Sequence, residues 1–259
     1  MKKLLYLLLF LNFLNATERI ITLSPAINEI AFALGLGDKI IANTEFCDFP
    51  IESKNIQKIG GYGSVSLEKV VNLNPTIILN QDYDKKSNQS LKDLNFKTLV
   101  YKTNSLEDIK FTIKDLGEVF NKKEEAKDLN NQIENSLEYL KNIIENQKIL
   151  IVISPQSTLS NQIFVVGNFI YFEDIIKASN NINAYQSSLK SQPSINSEKL
   201  ITLNPDIIIL LAPYLKDDKE KDDMLNLWKK LPVTASKKGN IYIIDDEYSG
   251  ISSHRVKYL

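Results

Sequence analysis

The feature that most constrains the fold is a segment that occurs twice. Each copy reads Glu-Lys, two apolar residues, one polar residue, Leu-Asn-Pro, one polar residue and an apolar run, at residues 66–79 and 196–209. A polar residue at the start caps a short helix, and the glutamate in its first turn complements the positive helix end. The proline ends the helix, and the apolar run is typical of a buried strand. Each copy therefore predicts a helix–turn–strand unit.

A second pair of matching segments stands at the same separation as the repeat. Ile-Thr-Leu-Ser-Pro at 21–25 corresponds to Ile-Val-Ile-Ser-Pro at 151–155. Two matches in one register predict two similar lobes, and 259 residues are enough for two modest cores. Predicted strands alternate with helices along both halves. The fold class is therefore α/β, with parallel sheets covered on both faces.

The middle of the chain predicts helices. Residues 105–146 contain no proline, and their apolar residues recur at steps of three and four. A break near Lys122 divides the stretch, and the second piece, about 36 Å long, is able to cross from one lobe to the other. We predict an N-terminal lobe at 17–121, a linking helix at 122–147 and a C-terminal lobe at 148–259.

The first sixteen residues predict a secretory signal peptide. Met1-Lys2-Lys3 precedes an apolar run that ends near Leu14, and Ala16 supplies a small residue for cleavage. The run is too short for an ordinary membrane span. We expect cleavage after Ala16 and a mature protein in the periplasm.

Composition argues against several classes of protein. The net charge of −1 gives no support for nucleic-acid binding. A single histidine, His254, cannot build a receptor site for free zinc or manganese, and we expect it on the surface. The single cysteine, Cys47, is expected to be half-buried. The chain has neither a Gly-x-Ser-x-Gly elbow nor a phosphate-binding Gly-x-x-x-x-Gly-Lys loop. We predict no catalytic residues, no cofactor and no directly bound metal.

An ordered set of motifs resembles a known family. The set comprises residues 19–25, Glu29, Ala33-Leu34-Gly35, Asp48-Phe49-Pro50, Gly60-Gly61-Tyr62, Leu67-Glu68-Lys69, Leu73-Asn74-Pro75, and Glu198 with Leu203-Asn204-Pro205. It resembles the periplasmic ligand-binding proteins of ABC importers for iron chelates, haem and vitamin B12. The resemblance implies two Rossmann-like lobes joined by one long α-helix, with the ligand held in the cleft between them.

The resemblance also implies a membrane partner. In this family, glutamates at the positions of Glu68 and Glu198 form salt bridges with arginines of the importer's permease dimer. One carboxylate on each lobe suits a two-fold partner. The alternative is that each acid only stabilises its own helix start. We expect the protein itself to be a monomer.

The ligand-binding residues are expected in loops at the carboxyl ends of strands. The candidates are Ser24, Phe46, Phe49, Tyr62, Gln156, Tyr171, Tyr185, Gln192, Tyr248 and Arg255. By resemblance, Tyr62 stands where cobalamin binders place an aromatic ring, whereas the matching residue before Glu198 is Gln192. Arg255 stands where family members place a basic residue. The sequence leaves open an iron–siderophore, haem, a corrinoid or a nickel chelate as ligand, and a sensor role without transport.

Overall fold

A computed structural model describes residues 18–61, 63–141, 143–159, 162–187, 189 and 192–259. The predicted signal peptide and Tyr62 lie outside these residues. The chain forms two compact units. The first comprises the described part of Met1–Asn28 together with Leu36–Val100, and the second comprises Glu29–Gly35 together with Tyr101–Leu259. The predicted lobe boundaries at 121 and 147 do not coincide with this division and stay a prediction.

The first unit is built on a five-stranded sheet. Its elements are β1 (Ile20–Thr22), the start of α1 (Pro25–Ala33), β2 (Ile40–Asn43), β3 (Gln57–Lys58), β4 (Gly60–Gly61), β5 (Ser64–Val65), α2 (Leu67–Leu73), β6 (Ile77–Gln81), α3 (Lys85–Asp93) and most of β7 (Thr98–Tyr101). The strand order is β3-β2-β1-β6-β7, and β4 pairs with β5 in a separate hairpin. Strand β1 pairs in parallel with both β2 and β6. This sheet confirms the predicted parallel α/β architecture.

The central strands of this sheet bury apolar residues against helices. Ile21, Ile78 and Ala42 are buried in one cluster with Val70 of α2 and Leu91 of α3. Helix α1 starts where the sequence predicts, since the Ser24 hydroxyl accepts a hydrogen bond of 3.2 Å from the Ile27 amide. The segment at 44–63 contains β3, β4 and a 3-10 helix at Ile51–Asn55.

The second unit contains a four-stranded parallel sheet. Its elements are α4 (Leu106–Val119), α5 (Lys123–Leu140), β8 (Lys148–Ile153), β9 (Ile163–Phe164), α6 (Tyr171–Ala178), β10 (Ile182–Asn183), β11 (Ser194–Ile195), α7 (Ser197–Leu203), β12 (Ile207–Leu211), α8 (Asp218–Lys229), α9 (Thr234–Lys238) and β13 (Ile241–Ile244). The strand order is β10-β8-β12-β13, and β9 pairs with β11 antiparallel. Trp228 of α8 is buried in the core of this unit.

The repeated segment folds as predicted in both units. Helices α2 and α7 end at Asn74 and Asn204, whose φ angles of 44° and 45° lie in the left-handed region. Asparagine tolerates this conformation better than most residues, and the following proline prevents the helix from continuing. The chain then enters β6 and β12, the strands that pair with β1 and β8.

The helical stretch in the middle of the chain breaks at Lys122, as predicted. Helices α4 and α5 pack closely because position 117 is glycine, where an added Cβ would lie 2.4 Å from the Ala126 Cβ. Helix α5 ends at Leu140, seven residues before the predicted end of the linking helix at 147, and its 18 residues are about 27 Å long. Among the helices of the described residues, none combines the length and apolar character needed to cross a membrane.

The chain ends in a short helix, as the sequence after Gly250 predicts, and this helix is a 3-10 helix at His254–Tyr258. The sequence pattern did not predict α9, a five-residue helix that precedes the last strand. The polar loop expected at 180–196 contains the short strands β10 and β11. Short elements of this kind depend on pairing with distant segments, which local patterns do not encode.

Candidate functional site

The two glutamates of the repeat occupy equivalent positions. Glu68 lies in the first turn of α2, capped by Ser66, and Glu198 lies in the first turn of α7, capped by Asn196. Both side chains are exposed. Within the described ranges, neither carboxylate forms an ion pair or a side-chain hydrogen bond. Each unit therefore presents one exposed carboxylate on the same structural motif.

The first unit displays two aromatic rings on the loop that follows β2. Phe46 is 57 % exposed and Phe49 is 42 % exposed. Large apolar side chains exposed to water often mark a binding surface. In α/β sheets, ligands bind at the carboxyl ends of the strands, which is where this loop lies. The structure thus places both predicted residues in one loop at the expected edge. The predicted partner Tyr62 lies outside the described residues.

A buried polar network holds this aromatic loop. The Asn28 amide donates to the Phe49 carbonyl at 3.1 Å and to the Ser53 hydroxyl at 2.8 Å. The Asn43 amide donates to the same Ser53 hydroxyl at 2.9 Å, and that hydroxyl donates to the Cys47 carbonyl at 2.8 Å. Because Asn28, Asn43 and Ser53 are fully buried, breaking one of these bonds would leave a polar group unpaired. Sequence reasoning missed these residues, since nothing in their spacing joins them.

The backbone of the β4–β5 hairpin supports one of the rings. A Cβ placed on Gly61 would lie 3.3 Å from Cε2 of Phe46, so the ring rests against this glycine. Gly60 has a φ of 125° and faces the Ser64 carbonyl, where a Cβ would lie 2.3 Å away. Only glycine fits at position 60. The hairpin that carries Tyr62 in the sequence therefore adjoins the Phe46 loop.

The second unit brings two predicted residues to one groove. Gln156 follows β8 and Tyr185 follows β10, and both line an open groove of about 1010 Å³. Lys199 of α7 lines the same groove, which we call the Lys199 groove. Tyr214, which follows β12, was not predicted; its hydroxyl donates a hydrogen bond to the Pro155 carbonyl beside Gln156. The carboxyl edge of this sheet thus carries amide and phenol groups.

Gln192 belongs to a second groove in the same unit. This groove has a volume of about 430 Å³ and is also lined by Phe169, Asp108 and Asp174. The Gln192 amide donates to the Val165 carbonyl at 2.6 Å, which fixes the side chain. Tyr248 is partly exposed, and its ring lies 5.3 Å from the Arg255 guanidinium carbon. The structure therefore does not bring Gln192 to the groove of Gln156 and Tyr185.

Three predicted ligand residues are buried and have structural roles. Ser24 caps α1, as described above. Tyr171 is buried in α6, its hydroxyl donates to the Ser249 carbonyl at 3.3 Å, and burial together with the negative charge of Glu29 raises its pKa. Arg255 is only 7 % exposed. We therefore leave all three out of the ligand contacts proposed below.

Arg255 forms a buried ion pair. Its Nε donates to the Glu29 carboxylate at 2.9 Å, and its Nη2 donates to the other carboxylate oxygen. The Ser253 hydroxyl donates to the same carboxylate. This bidentate geometry matches the guanidinium fork to the carboxylate. The pair joins the second half of α1 to the last segment of the chain within the second unit.

His254 and Cys47 are more buried than the sequence predicts. His254 is 7 % exposed, and its Nδ1 has no hydrogen-bond partner among the described residues. Burial, with the nearby charges of Lys257 and Arg255, lowers the pKa of His254 to about 4. Cys47 is fully buried, which raises the pKa of its thiol. His254 is thus a neutral core residue, which corrects the expectation that it lies on the surface.

Across residues 18–61, 63–141, 143–159, 162–187, 189 and 192–259, no group of three or more His, Cys, Asp and Glu side chains could hold a metal ion. The arrangement offers hydrogen-bonding amides, aromatic rings and a cation. It can bind an organic ligand by contact and charge.

Comparison with known proteins identifies a matching family and several relatives of this chain. Residues 20–248 match the family described as periplasmic binding protein. The chain is 26 % identical over 223 residues to the vitamin B12-binding protein of Vibrio parahaemolyticus, covering 83 % of this chain and 79 % of that protein. It is 28 % identical over 222 residues to the high-affinity heme uptake system protein IsdE of Staphylococcus aureus, covering 82 % and 74 %.

A solved structure shares the fold. The periplasmic vitamin B12-binding protein BtuF of Vibrio cholerae superposes with a TM-score of 0.79 at 19 % identity. The match covers 93 % of this chain and 92 % of that one. Identity at this level supports the fold only. The α/β class with parallel sheets is confirmed.

Replacing Glu29 with glutamine tests the buried ion pair. We expect Glu29→Gln to lower the free energy of unfolding by about 3 to 5 kcal/mol, because the buried Arg255 guanidinium loses its counter-charge. Thermal or urea unfolding measures the change. The matched control is Glu125→Gln, which removes an exposed carboxylate paired with Lys122 and should change stability little. If wild type and Glu29→Gln were equally stable, Glu29 and Arg255 would not form a buried ion pair in solution.

The buried histidine predicts an acid-sensitive stability. The pKa of His254 is lower in the folded chain than in the unfolded chain, so between about pH 6.5 and 4 the unfolded state binds more protons. Its contribution to stability is complete above pH 6.5 and is lost as the pH falls toward 4. From pH 7.5 to 5 the wild type should lose about 2 kcal/mol more than His254→Phe.

NMR offers a direct measurement of the same group. Because the sequence contains one histidine, the imidazole signals of untagged protein need no assignment. They should titrate near pH 4 rather than near 6.5. A midpoint near 6.5 in the folded protein would show that His254 is accessible to water.

Proposed function

Because the chain belongs to the periplasmic binding protein family, we propose that it captures a metal chelate outside the cytoplasm and delivers it to an ABC importer. The chelate class is an iron–siderophore, haem or a corrinoid. The named relatives support this class, since one is a vitamin B12-binding protein and another belongs to a heme uptake system. These relatives are binding proteins of transport systems, and the chain is not an enzyme. We further propose export through the predicted signal peptide at 1–16.

The observation that carries the transport proposal is the pair Glu68 and Glu198. Two exposed carboxylates stand on the same turn of the same motif, one in each unit. A single helix-start acid needs no explanation beyond its own helix. Two at matching places fit a partner that presents the same cationic surface twice. We propose that this partner is the importer's permease dimer.

The proposed ligand contacts are the sequence candidates to which the structure assigns no buried role. They are Phe46, Phe49 and Tyr62 from the first unit, and Gln156, Tyr185, Gln192 and Tyr248 from the second. Aromatic faces suit a flat macrocycle or an aromatic chelator. The buried amides of Asn28 and Asn43 hold the backbone of the Phe46–Phe49 loop in place, so ligand binding requires little reordering of that backbone.

Titration with candidate chelates tests the ligand class. We expect the protein without residues 1–16 to bind at least one of haemin, cyanocobalamin and a panel of ferric siderophores, measured by absorption and calorimetry. Tryptophan fluorescence is a poor reporter, because the only tryptophan, Trp228, is buried. For the chelate that binds, Phe46→Ala should weaken affinity about five- to tenfold through loss of ring contact.

The control for this titration is another exposed phenylalanine. Phe111 of α4 is 61 % exposed, close to the 57 % of Phe46. Phe111→Ala should leave chelate affinity unchanged. Absence of binding to every chelate would refute the ligand class, and equal effects of the two substitutions would remove Phe46 from the contacts.

A double substitution tests docking. Glu68→Ala with Glu198→Ala should leave chelate affinity unchanged and lower uptake by cells about tenfold or more, because the importer loses both charge contacts. Uptake of the labelled chelate and affinity of the purified protein are measured in parallel. The matched control removes two other exposed first-turn acids, Glu107 and Glu124. Undiminished uptake by cells with the Glu68→Ala, Glu198→Ala variant would refute the docking proposal.

A further inference from the structure

The Lys199 groove combines aromatic, amide and cationic side chains in the second unit. Phe164 and Tyr185 supply rings, Gln156 and Gln162 supply amides, and Lys199 supplies a positive charge. Its volume of about 1010 Å³ is at the upper end of the range for small-molecule sites. No carboxylate is among the residues described as lining it.

The antiparallel pairing of β9 and β11 builds one wall of this groove. Ile163 and Ile195 pair with each other and point into the core, while Phe164 pairs with Ser194 on the opposite face. Alternation along the strands therefore turns the Phe164 ring away from the core. Helix α7 starts two residues after β11, which brings Lys199 to the same groove.

The charge of this groove differs from that of its neighbours. The 430 Å³ groove contains Asp108 and Asp174 with one lysine, Lys102, and a third groove contains Glu220 and Asp223, so acidic side chains outnumber basic ones in both. An anionic ligand would be repelled by those carboxylates and attracted by the single cation of the Lys199 groove. The groove therefore favours an anionic group next to an apolar ring.

The two lysines of the repeat have different surroundings. Lys69, in the first copy, donates from its Nζ to the Lys58 carbonyl at 3.3 Å. Its counterpart Lys199 makes no side-chain hydrogen bond or ion pair within the described residues. The Lys199 ammonium is thus available to a ligand, whereas the equivalent lysine already contacts its own chain. With Arg255 buried against Glu29, the arginine predicted to meet an anion is engaged elsewhere.

We propose that the Lys199 groove is the subsite that selects the ligand, holding a conjugated ring against Phe164 and Tyr185 while Lys199 pairs with a carboxylate on the ring's edge. The inference rests on the proposed function and narrows it. It favours a porphyrin-like macrocycle with peripheral carboxylates over a corrin, whose periphery carries uncharged amides. The Lys199 ammonium attracts a carboxylate of the ligand only while both groups are charged. The preference for a macrocycle with carboxylates over one with amides is therefore electrostatic.

The test compares two forms of one macrocycle. Wild type, Lys199→Gln and Lys69→Gln are titrated with haemin, haemin dimethyl ester and cyanocobalamin in one buffer, with absorption as the readout. We expect Lys199→Gln to bind haemin about fivefold more weakly, because one partly exposed ion pair is lost. The same variant should bind the dimethyl ester as the wild type does. Lys69→Gln removes the same charge from the other copy of the repeat and should change neither affinity.

The possible results distinguish failure of the subsite from failure of the proposed function. If wild type and Lys199→Gln bind haemin equally, the subsite is refuted and the proposed function stands. If Lys199→Gln weakens the ester as much as haemin, the lysine acts without the carboxylate and the proposal is wrong. If the wild type prefers cyanocobalamin or a ferric siderophore to haemin, the ligand class named for the groove is overturned. If it binds no chelate at all, the proposed function fails with it.

Discussion

The structure depends on one local constraint that operates in both units, a helix forced to end by a left-handed asparagine followed by proline. Asn74 and Asn204 adopt nearly the same φ, and the chain after each proline enters a strand next to the centre of its sheet. The turn fixes where the strand begins, and the parallel sheet then sets which residues are buried. The same turn also fixes the short helix before it, which carries Glu68 in one unit and Glu198 in the other.

Within each repeated segment, the strand contributes to the core and the helix carries the residues with a proposed function. The strand after the proline is largely buried in both units, and its first three residues are isoleucine or leucine in each copy. The helix before it exposes one glutamate and one lysine. The glutamates keep the same exposure in the two units, but the lysines do not keep the same contacts, because Lys69 meets its own backbone and Lys199 lines a groove. The two copies of the repeat form the same helix–turn–strand unit. The proposed ligand selection depends on the different contacts of their lysines.

Buried polar groups hold one exposed loop in the first unit and the end of the chain in the second. In the first unit, Asn28 and Asn43 hold the loop that exposes Phe46 and Phe49. In the second, Glu29 and Arg255 tie the end of α1 to the last turn of the chain. Removing charges from water is costly, so such a pair is weak evidence for added stability and stronger evidence for a required geometry. The cost is tolerated because the alternative, one unpaired buried charge, is worse.

The sequence by itself determined the two helix–turn–strand units of the repeat, the parallel α/β class, the break at Lys122 and the exposed glutamates, because capping, proline and periodicity act within a few residues. Only the tertiary structure decided which polar side chains are buried. Arg255 meets Glu29 across 226 residues of sequence, and His254, Tyr171 and Cys47 are buried for the same kind of reason. Burial is a property of contacts between distant segments, and a local pattern around Arg255 contains no information about Glu29. The proposed subsite is equally non-local, since β9, β10 and α7 meet only in the folded unit.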